Sequence, residues 1–379
     1  MSHKAHHGPC CLQRRLALAV LLLTAALVAG ACRPSAPAGL AYEKPEQLDD
    51  GWEVSSLAEE GLDGRKIAEL TERVEKGRYG LVHSCLIVRH GRLVYERYFR
   101  GYRRDTLHNL YSVTKSVTSA LVGIALEKGY IPNLQDPVVS YFPEYADGNW
   151  DQRKNAITLE HLLMMASGLQ YNENPLPYSN ARNSHTQMTG SADWMKWALE
   201  QPLLVEPGTQ FNYSSANTHL FSGILYKTTG RYADELAEEY LFGPLGIANY
   251  FWYVGDGFPA TSGANGGLQL RPRDMAKFGT MYLQGGRWKG QQVVPQAWVE
   301  ESLKPRLAAW SGSQYGYQWW IHPYAVGGQA GTWFAARGYG DQLIGLFPAL
   351  DMVVVFACGN EGRVGGLDDA VLRIVAAAE

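Results

Sequence analysis

Residues 110–124, which read LYSVTKSVTSALVGI, decide the fold of this chain. Apolar side chains recur here at the three- and four-residue spacing of a helix, and the small Ala120 and Gly123 suit a helix packed closely on all sides. Ser112 stands at the start of the predicted helix, and Lys115 follows one turn later on the same face. We therefore predict a buried helix whose first turn carries a serine and a lysine side by side.

The pair of Ser112 and Lys115 indicates nucleophilic chemistry. A hydroxyl is a poor nucleophile at neutral pH, but a partly desolvated lysine held beside it becomes a neutral base that takes its proton. The helix N-terminus also offers the backbone N–H of Ser112 to a developing oxyanion. Alone the pair is a weak signal, because about one Ser-x-x-Lys is expected by chance in a chain of this length. A capping serine and a solvated lysine are the structural alternative.

The composition is typical of a folded globular protein. The chain has 379 residues, of which 46% are hydrophobic and 19% are charged, with a formal net charge of −3. This length predicts one large domain or two interleaved domains. There is no basic stripe and no run of like charge, so no nucleic acid partner is expected.

Residues 1–31 predict a signal peptide. Two arginines precede an apolar run, Leu16 to Val28, which is short for a membrane span and is followed by the small-residue cleavage signature 29–31. Cys32 comes next, which favours a bacterial lipoprotein acylated at Cys32 over a soluble secreted protein, although Ala29 stands where a lipobox usually has leucine. We expect a protein of the bacterial cell envelope, in the periplasm or at the outer membrane, or a secreted one.

Two other cysteines remain in the predicted mature protein. Cys85 and Cys358 lie in strand-like apolar runs, so two buried free thiols are expected, with a disulfide between them as the alternative in an oxidising compartment. No C-x-x-C, H-E-x-x-H or paired-histidine spacing argues for a metal, and no cofactor is expected.

The remaining elements follow one another in a simple order. A hairpin of Ser84–Arg89 and Arg92–Phe99 precedes the central helix, which is predicted to end near Gly129. A polar segment at 170–189 is predicted to be a long binding loop. Other helices are predicted at 62–77, from 158, at 192–200, through 220–225, and at 232–242, 273–283 and 295–303. Strands return at Gly316–Ile321, Gly331–Ala336, Gln342–Phe347 and Met352–Ala357, before a helix at Gly366–Ala378.

This order predicts an α+β fold: an antiparallel sheet built from both ends of the chain, flanked by helices, with an all-helical domain inserted between. We expect a tether at 32–50, a discontinuous sheet domain at 51–150 and 264–379, and a helical domain at 151–263.

Two further segments supply partners for the central pair. Tyr213 lies at a turn-to-helix junction, and a phenol near an ammonium loses its proton more easily, so Tyr213 is a candidate base or proton relay. Residues 337–342, RGYGDQ, lie between two predicted strands. Glycines there let a substrate or a backbone come close, and an N–H there completes an oxyanion hole. A packed tyrosine and a plain hairpin turn are the structural alternatives.

Together, in this order, the segments resemble the serine β-lactamase and penicillin-recognising family. The matching branch contains class C β-lactamases, D-alanyl-D-alanine carboxypeptidases, related esterases and 6-aminohexanoate-oligomer hydrolases, and the resemblance runs from about Ala58 to the C-terminus. It implies the β-lactamase/transpeptidase-like fold. The blocks that carry it are YSVTK at 111–115, TLEHLL at 158–163, SGL at 167–169, PG at 207–208, FNYSS at 211–215 and GYG at 338–340.

The resemblance also implies roles by position. Ser112 is expected to be the acylated nucleophile, Lys115 its activating partner, and Tyr213 the tyrosine that shares the proton with that lysine. The backbone N–H groups of Ser112 and Tyr339 are expected to form the oxyanion hole, with a neighbour of Tyr339 as the alternative donor. The expected substrate contacts are Tyr171, Ser215, Gly338 and Gly340.

The chain departs from class C β-lactamases in two motifs. Their Tyr-x-Asn is here Tyr213-Ser214-Ser215, and nothing like their Lys-Thr-Gly precedes Gly338. The departures argue against a true β-lactamase or carboxypeptidase and favour the esterase and amide-oligomer hydrolase branch. Three tryptophans are candidates for an apolar acyl pocket, with the core as the alternative: Trp319, Trp320 and Trp333.

The predicted function is that of a secreted serine hydrolase. It is expected to cleave a small-molecule ester or amide, with a β-lactam among the candidates, through an acyl-Ser112 intermediate. The alternative is an envelope penicillin-recognising binding protein with little turnover, attached to the membrane if Cys32 is lipidated.

Overall fold

The structure of the protein is a computed structural model that describes residues 42–146, 150–174, 176–260, 267–363 and 366–378. The described residues belong to one compact unit, residues 40–379. The predicted signal peptide and Cys32 lie outside the described residues, and the predicted division into a sheet domain and a helical domain stays a prediction.

The strands cluster near the two ends of the described chain. They are β1 (Val82–Arg89), β2 (Arg92–Tyr98), β3 (His108–Asn109), β4 (Tyr250–Trp252), β5 (Leu268–Leu270), β6 (Arg287–Trp288), β7 (Gln291–Gln292), β8 (Leu307–Ala308), β9 (Gln314–Tyr315), β10 (Trp320–Val326), β11 (Gln329–Gly338), β12 (Gln342–Phe347) and β13 (Met352–Cys358).

Helices occupy most of the sequence between the two groups of strands. They are α1 (Gly64–Glu75), α2 (Val113–Glu127), α3 (Leu159–Leu163), α4 (Ser184–Thr189), α5 (Trp194–Glu200), α6 (Ser215–Thr229), α7 (Ala233–Ala237), α8 (Gly243–Leu245), α9 (Pro272–Leu283), α10 (Gln296–Ser302) and α11 (Leu367–Val375). A π-helical turn, Glu238–Phe242, joins α7 to α8. Short 3₁₀ turns lie at Val138–Tyr141, Pro143–Tyr145, Gln152–Ala156, Trp310–Gly312 and Pro348–Leu350.

An eight-stranded antiparallel sheet is the framework of the fold. Its strand order is β2-β1-β13-β12-β11-β10-β9-β8, so the early hairpin and the late strands meet where β1 pairs with β13. Alternate residues of these strands face opposite ways. One face packs against α2 and α9, and the other packs against α1 and α11. The predicted α+β fold, with one antiparallel sheet built from both ends of the chain, is confirmed.

Helix α2 is buried along almost its whole length, from Val113 to Ala125. Gly123 is required for this close packing, because a Cβ there would lie 2.2 Å from the Trp298 ring of α10. Its interior serines are satisfied by backbone: the hydroxyls of Ser116 and Ser119 donate to the carbonyls of Gln318 and Tyr317. The small and apolar residues of α2 thus let it cross the core without unpaired hydroxyls.

One predicted strand is displaced along the sequence. In place of a strand at Gly316–Ile321, β9 ends at Tyr315 and β10 begins at Trp320. Gln318 between them has a left-handed φ of 67°, and its buried side-chain amide donates to the carbonyls of Leu162 and Leu163. These bonds hold the segment against the helical part of the molecule, so it does not join the sheet.

Two segments predicted to be irregular are more ordered than expected. The predicted loop 170–189 contains α4, which Asn183 caps by accepting a hydrogen bond from the His185 N–H. The predicted tether is packed from Tyr42 onward: the Tyr42 hydroxyl donates to the Val94 carbonyl, and Asp50 pairs with Arg273 at 2.7 Å.

The cysteine prediction is confirmed, since Cys85 and Cys358 are both free and buried.

In the part of the chain that the structure describes, no helix combines the length and the apolar character that a membrane crossing needs.

Candidate active site

A strained backbone at Tyr111 leads into the predicted nucleophile. Tyr111 has a φ of 48°, a left-handed conformation that is uncommon outside glycine. Its ring lies edge-on to Tyr339 with the centroids 5.7 Å apart, and its hydroxyl donates to Glu361 at 3.2 Å. These contacts stabilise the turn that places Ser112 at the start of α2.

Lys115 and Ser112 are in direct contact. Lys115 Nζ donates to Ser112 Oγ at 2.9 Å and to Ser215 Oγ at 3.0 Å. The lysine side chain is only 1% exposed. Burial lowers the pKa of Lys115 to about 8, against the opposing charge of Glu173. Roughly one lysine in ten is then neutral at pH 7, which is enough to make Lys115 a working base.

Tyr213 joins this pair. The centre of its ring lies 5.0 Å from Lys115 Nζ. Burial raises the pKa of Tyr213, the charge of Glu173 raises it further, and hydrogen bonding with Ser112 acts in the opposite sense. The expectation that the nearby ammonium makes this phenol easier to deprotonate is therefore wrong. Lys115 has the base character, and a protonated Tyr213 is suited to relay a proton.

Ser215 belongs to the lysine network. It is the first residue of α6, is fully buried, and accepts the hydrogen bond from Lys115. Ser214 caps the helix by accepting from the Asn217 N–H at 3.3 Å. We predicted Ser215 as a substrate contact, but the structure encloses its hydroxyl between Lys115 and Glu173.

Glu173 is the functional candidate that sequence reasoning missed. Its carboxylate is 2% exposed and accepts three hydrogen bonds: 2.8 Å from Ser215 Oγ, 3.0 Å from the Ser215 N–H and 2.8 Å from the Tyr178 hydroxyl. Burial alone would raise the pKa of Glu173, but Lys115, His185 and these hydrogen bonds together hold it below its usual value. An ionised acid therefore lies one serine away from Lys115.

Tyr178 is a loop tyrosine that bonds directly to the site, whereas Tyr171 packs behind it. Tyr171 is 4% exposed and packs edge-on against Trp197 in the core, so its position does not favour the predicted contact with substrate. Tyr178 bonds to Glu173, and its ring lies edge-on to Tyr339 at 5.1 Å. Both tyrosines lie in the same polar segment, and local pattern does not distinguish them.

The hairpin end that carries Tyr339 is packed against the segment that enters α2. Gly338 approaches so closely that a Cβ there would lie 2.2 Å from the Leu110 carbonyl oxygen. Gly340 has a φ of 75° and packs against Glu361. Both glycines thus serve close approach between parts of this chain, and the substrate contact that we predicted for them stays a prediction.

The predicted oxyanion donors are the backbone N–H groups of Ser112 and Tyr339. Among the described residues, neither of these two groups donates to a protein acceptor. The close packing of Gly338 on Leu110 brings their two segments together. Their role as an oxyanion hole stays a prediction.

Aromatic rings surround Tyr213. Its ring stacks on Trp320 at a centroid distance of 5.8 Å and lies equally close to Trp310, which is 45% exposed. Phe211 packs against Trp310 and against Tyr315. The site thus has an aromatic wall with one exposed member, Trp310.

Of the three tryptophans predicted for an acyl pocket, Trp320 alone contacts this wall. Trp319 is fully buried against Phe278 and Tyr282. Trp333 is buried and stacks on Phe347. These two belong to the core, which was the alternative interpretation.

The cation nearest in sequence to the hairpin end is already paired. Arg337 pairs with Asp368 at 2.5 Å, and its guanidinium lies over the Trp333 ring at 5.2 Å from the centroid. Across the described ranges, no group of three or more histidine, cysteine, aspartate or glutamate side chains is arranged to hold a metal ion.

The family model described as Beta-lactamase matches residues 65–378 of this chain. The chain belongs to the Beta-lactamase family. It is 29% identical over 313 residues to the 6-aminohexanoate-dimer hydrolase of Paenarthrobacter ureafaciens, which covers 76% of this chain and 75% of that protein. It is 26% identical over 179 residues to esterase EstB of Burkholderia gladioli, with coverage of 43% and 45%.

A solved class C β-lactamase in complex with cefoxitin has the same fold as this Beta-lactamase family member. The TM-score is 0.64 at 15% identity, covering 82% of this chain and 98% of the other. The resemblance drawn from the sequence is thereby confirmed, and the protein is a Beta-lactamase family hydrolase.

Proposed function

We propose that this protein is a serine hydrolase that cleaves an ester or an amide through an acyl-Ser112 intermediate. The observation that carries the proposal is the 2.9 Å contact between Lys115 Nζ and Ser112 Oγ in a buried site. A lysine with a pKa of about 8 accepts the serine proton at a useful rate near neutral pH.

Acylation begins when neutral Lys115 takes the proton of the Ser112 hydroxyl. Ser112 Oγ then attacks the carbonyl carbon of the substrate, and the carbonyl electron pair moves onto its oxygen to give a tetrahedral oxyanion. Two backbone N–H groups, of Ser112 and Tyr339, stabilise that charge in our proposal. As the intermediate collapses, the leaving group departs with a proton from Lys115, relayed through Tyr213.

Deacylation repeats the same sequence with water. Lys115 and Tyr213 remove a proton from a water molecule, which attacks the acyl carbon. The new tetrahedral intermediate collapses, the acid product leaves, and Ser112 recovers its proton. The same residues thus serve both halves of the reaction, as is usual for acyl transfer by a serine.

The proposed acyl group has an apolar chain next to the carbonyl that Ser112 attacks. Trp310 and Trp320 offer aromatic surface beside Tyr213, and the nearby Arg337 is occupied by Asp368. For the carboxylate of a β-lactam, this chain has no counterpart of the lysine that class C β-lactamases carry in Lys-Thr-Gly. The curated relatives include a hydrolase named for an amide dimer and an esterase, which agrees with this substrate class.

The test is an activity screen that compares the unmodified protein with Ser112→Ala, which lacks the proposed nucleophile. Purified protein is assayed with p-nitrophenyl butyrate, the 6-aminohexanoate dimer and nitrocefin. We expect turnover of the ester or the amide, and loss of that turnover in Ser112→Ala. Ser119→Ala, which removes a buried hydroxyl from the same helix, is expected to remain active and serves as the control.

Two results would contradict the proposal. Near-full turnover by Ser112→Ala would exclude Ser112 as the nucleophile. Labelling by a fluorescent penicillin that persists for hours without turnover of any substrate would instead support the penicillin-recognising binding protein.

We further propose that the protein acts in the bacterial cell envelope. The proposal depends on residues 1–31 and Cys32, which have the sequence of an export signal followed by a lipidation site. Metabolic labelling with palmitate and detergent phase separation test it, with Cys32→Ser as control. Equal labelling of both forms would exclude lipidation at Cys32.

A further inference from the structure

The hydrogen bonds of Ser215 have a fixed direction. A serine hydroxyl has one proton, and that of Ser215 is donated to Glu173 Oε1 at 2.8 Å. An ionised carboxylate only accepts hydrogen bonds, so the Ser215 proton has no alternative direction on this side. Toward Lys115 Nζ, 3.0 Å away, Ser215 therefore presents only lone pairs.

This direction determines how a neutral Lys115 is oriented. A neutral amine has two N–H bonds and one lone pair. Because Ser215 can only accept, it binds one of the N–H bonds. The amine lone pair is then available to Ser112 Oγ, which lies 2.9 Å from Nζ. That is the orientation needed to receive the serine proton.

Hydrogen bonds fix both the side chain and the backbone of Glu173, which accepts the hydrogen bond of the Ser215 hydroxyl. Its carboxylate also accepts from the Tyr178 hydroxyl and from the backbone N–H of Ser215, which leaves it little freedom to rotate. The amide of Asn183 donates to the Glu173 carbonyl at 2.7 Å and fixes its backbone. The titratable groups that act on Glu173 or Lys115 from the surrounding elements are Tyr171, Tyr178, His185, Tyr213 and Tyr315.

We propose that Glu173 is a positioning residue: through Ser215 it orients the neutral amine of Lys115 so that the amine lone pair points at the Ser112 hydroxyl. The proposal rests on the proposed function, because it concerns the proton transfer that starts acylation. In that step the Ser112 O–H bond breaks and an N–H bond forms on Lys115. The electron pair left on Ser112 Oγ forms the bond to the substrate carbonyl carbon.

The decisive variant is Glu173→Gln, which keeps the shape of the side chain. Its amide N–H₂ can donate to Ser215, so Ser215 is no longer forced to accept from Lys115. We expect kcat to fall roughly 10- to 100-fold with little change in KM. The negative charge is lost as well, so the acid limb of the kcat/KM profile should move to lower pH by about one pH unit.

A second variant separates the effect of the Ser215 hydroxyl from the effect of the Glu173 charge. Ser215→Ala removes the connecting hydroxyl but keeps the Glu173 carboxylate. We expect a loss of kcat of similar size, with the acid limb remaining nearer to that of the unmodified protein. Glu206→Gln, which changes an exposed carboxylate, is the matched control and should resemble the unmodified protein. If Glu173→Gln does not fold, as judged by its thermal melt, Ser215→Ala still tests the link.

The proposal is overturned if Glu173→Gln retains full kcat, or if it loses kcat while the acid limb stays in place, which would indicate a structural role. Full kcat in Ser215→Ala also overturns it. Ser112→Ala is measured in the same assay. Activity that survives Ser112→Ala refutes the proposed function itself, whereas Ser112-dependent activity that is indifferent to Glu173 refutes only the positioning role.

Discussion

Two lysines of this protein are equally buried, at 1% exposure, but have different neighbours. Lys277 on α9 lies 3.1 Å from the carboxylate of Asp274, one turn earlier, and donates to the Gly246 carbonyl. Lys115 on α2 donates to two hydroxyls, and it reaches the carboxylate of Glu173 only through Ser215.

The difference shows how one side chain serves structure in one place and chemistry in another. A buried ammonium in direct contact with a carboxylate forms an ion pair, and breaking such a pair is costly. A hydroxyl spacer weakens the attraction to the acid while burial still opposes the charged form, and so burial lowers the pKa of Lys115 to about 8. Burial without a carboxylate in direct contact therefore suits Lys115 to proton transfer in the proposed mechanism.

The largest expected effect comes from replacing each of the two lysines with an uncharged side chain. Lys115→Met is expected to lower kcat/KM by about 10⁴-fold, because Ser112 and Lys115 act as a unit in the proposed mechanism. Lys277→Met is expected to lower the melting temperature instead and to leave activity per folded molecule close to normal. Steady-state kinetics and thermal melts of both variants test the comparison. A Lys115→Met variant that stays active would break it.

Tyr213→Phe tests the third member of the site. The ring remains over Lys115, but the hydroxyl that is proposed to relay the proton is lost. We expect kcat to fall about 100-fold or more, which is the size of a lost acid–base group. Stopped-flow measurement of acylation and deacylation should show both steps slowed. Unchanged kcat would remove Tyr213 from the mechanism.

The pH profile sharpens the comparison further. The proposed mechanism requires neutral Lys115, so kcat/KM should rise with pH and level off above a pKa of about 8. Below that pH it should fall about tenfold for each pH unit. A profile that is flat between pH 6 and pH 9 would contradict the assignment of Lys115 as the base. Lys277→Met should show the same acid limb.

The smallest effect on catalysis is expected at the buried ion pair of Asp274 and Lys277. Asp274→Asn leaves Lys277 buried without its carboxylate and also breaks the ion pair of Asp274 with Arg271 at 2.6 Å. We expect the free energy of unfolding to fall by about 3 kcal/mol in chemical denaturation. Activity per folded molecule should stay close to normal. A large loss of activity in the folded variant would mean that the two lysines are not independent.

Many strands and helices could be predicted because short sequence patterns indicate them. The strands on either side of His90-Gly91, the apolar helix α2 and strands β12 and β13 match their predicted positions closely. The trio of Ser112, Lys115 and Tyr213 was predicted from the order of its blocks, and the structure brings the three together. Such patterns are local, and a helix turn alone places Lys115 beside Ser112.

The missed features depend on contacts between distant segments. Glu173 lies in a polar segment with nothing nearby in the sequence to mark it as buried, and its role appears only where α6 and α2 bring Ser215 and Lys115 against it. The displaced strand has the same origin, because Gln318 is held by carbonyls more than 150 residues earlier in the chain.

The sequence alone determined the family, the antiparallel sheet and the serine, lysine and tyrosine of the site, because helical and strand periodicity and the order of motifs are properties of neighbouring residues. Tertiary structure alone decided the electrostatics. Whether a buried lysine becomes a base or an ion-pair partner depends on which carboxylate the fold brings near it, and on whether a hydroxyl stands between them.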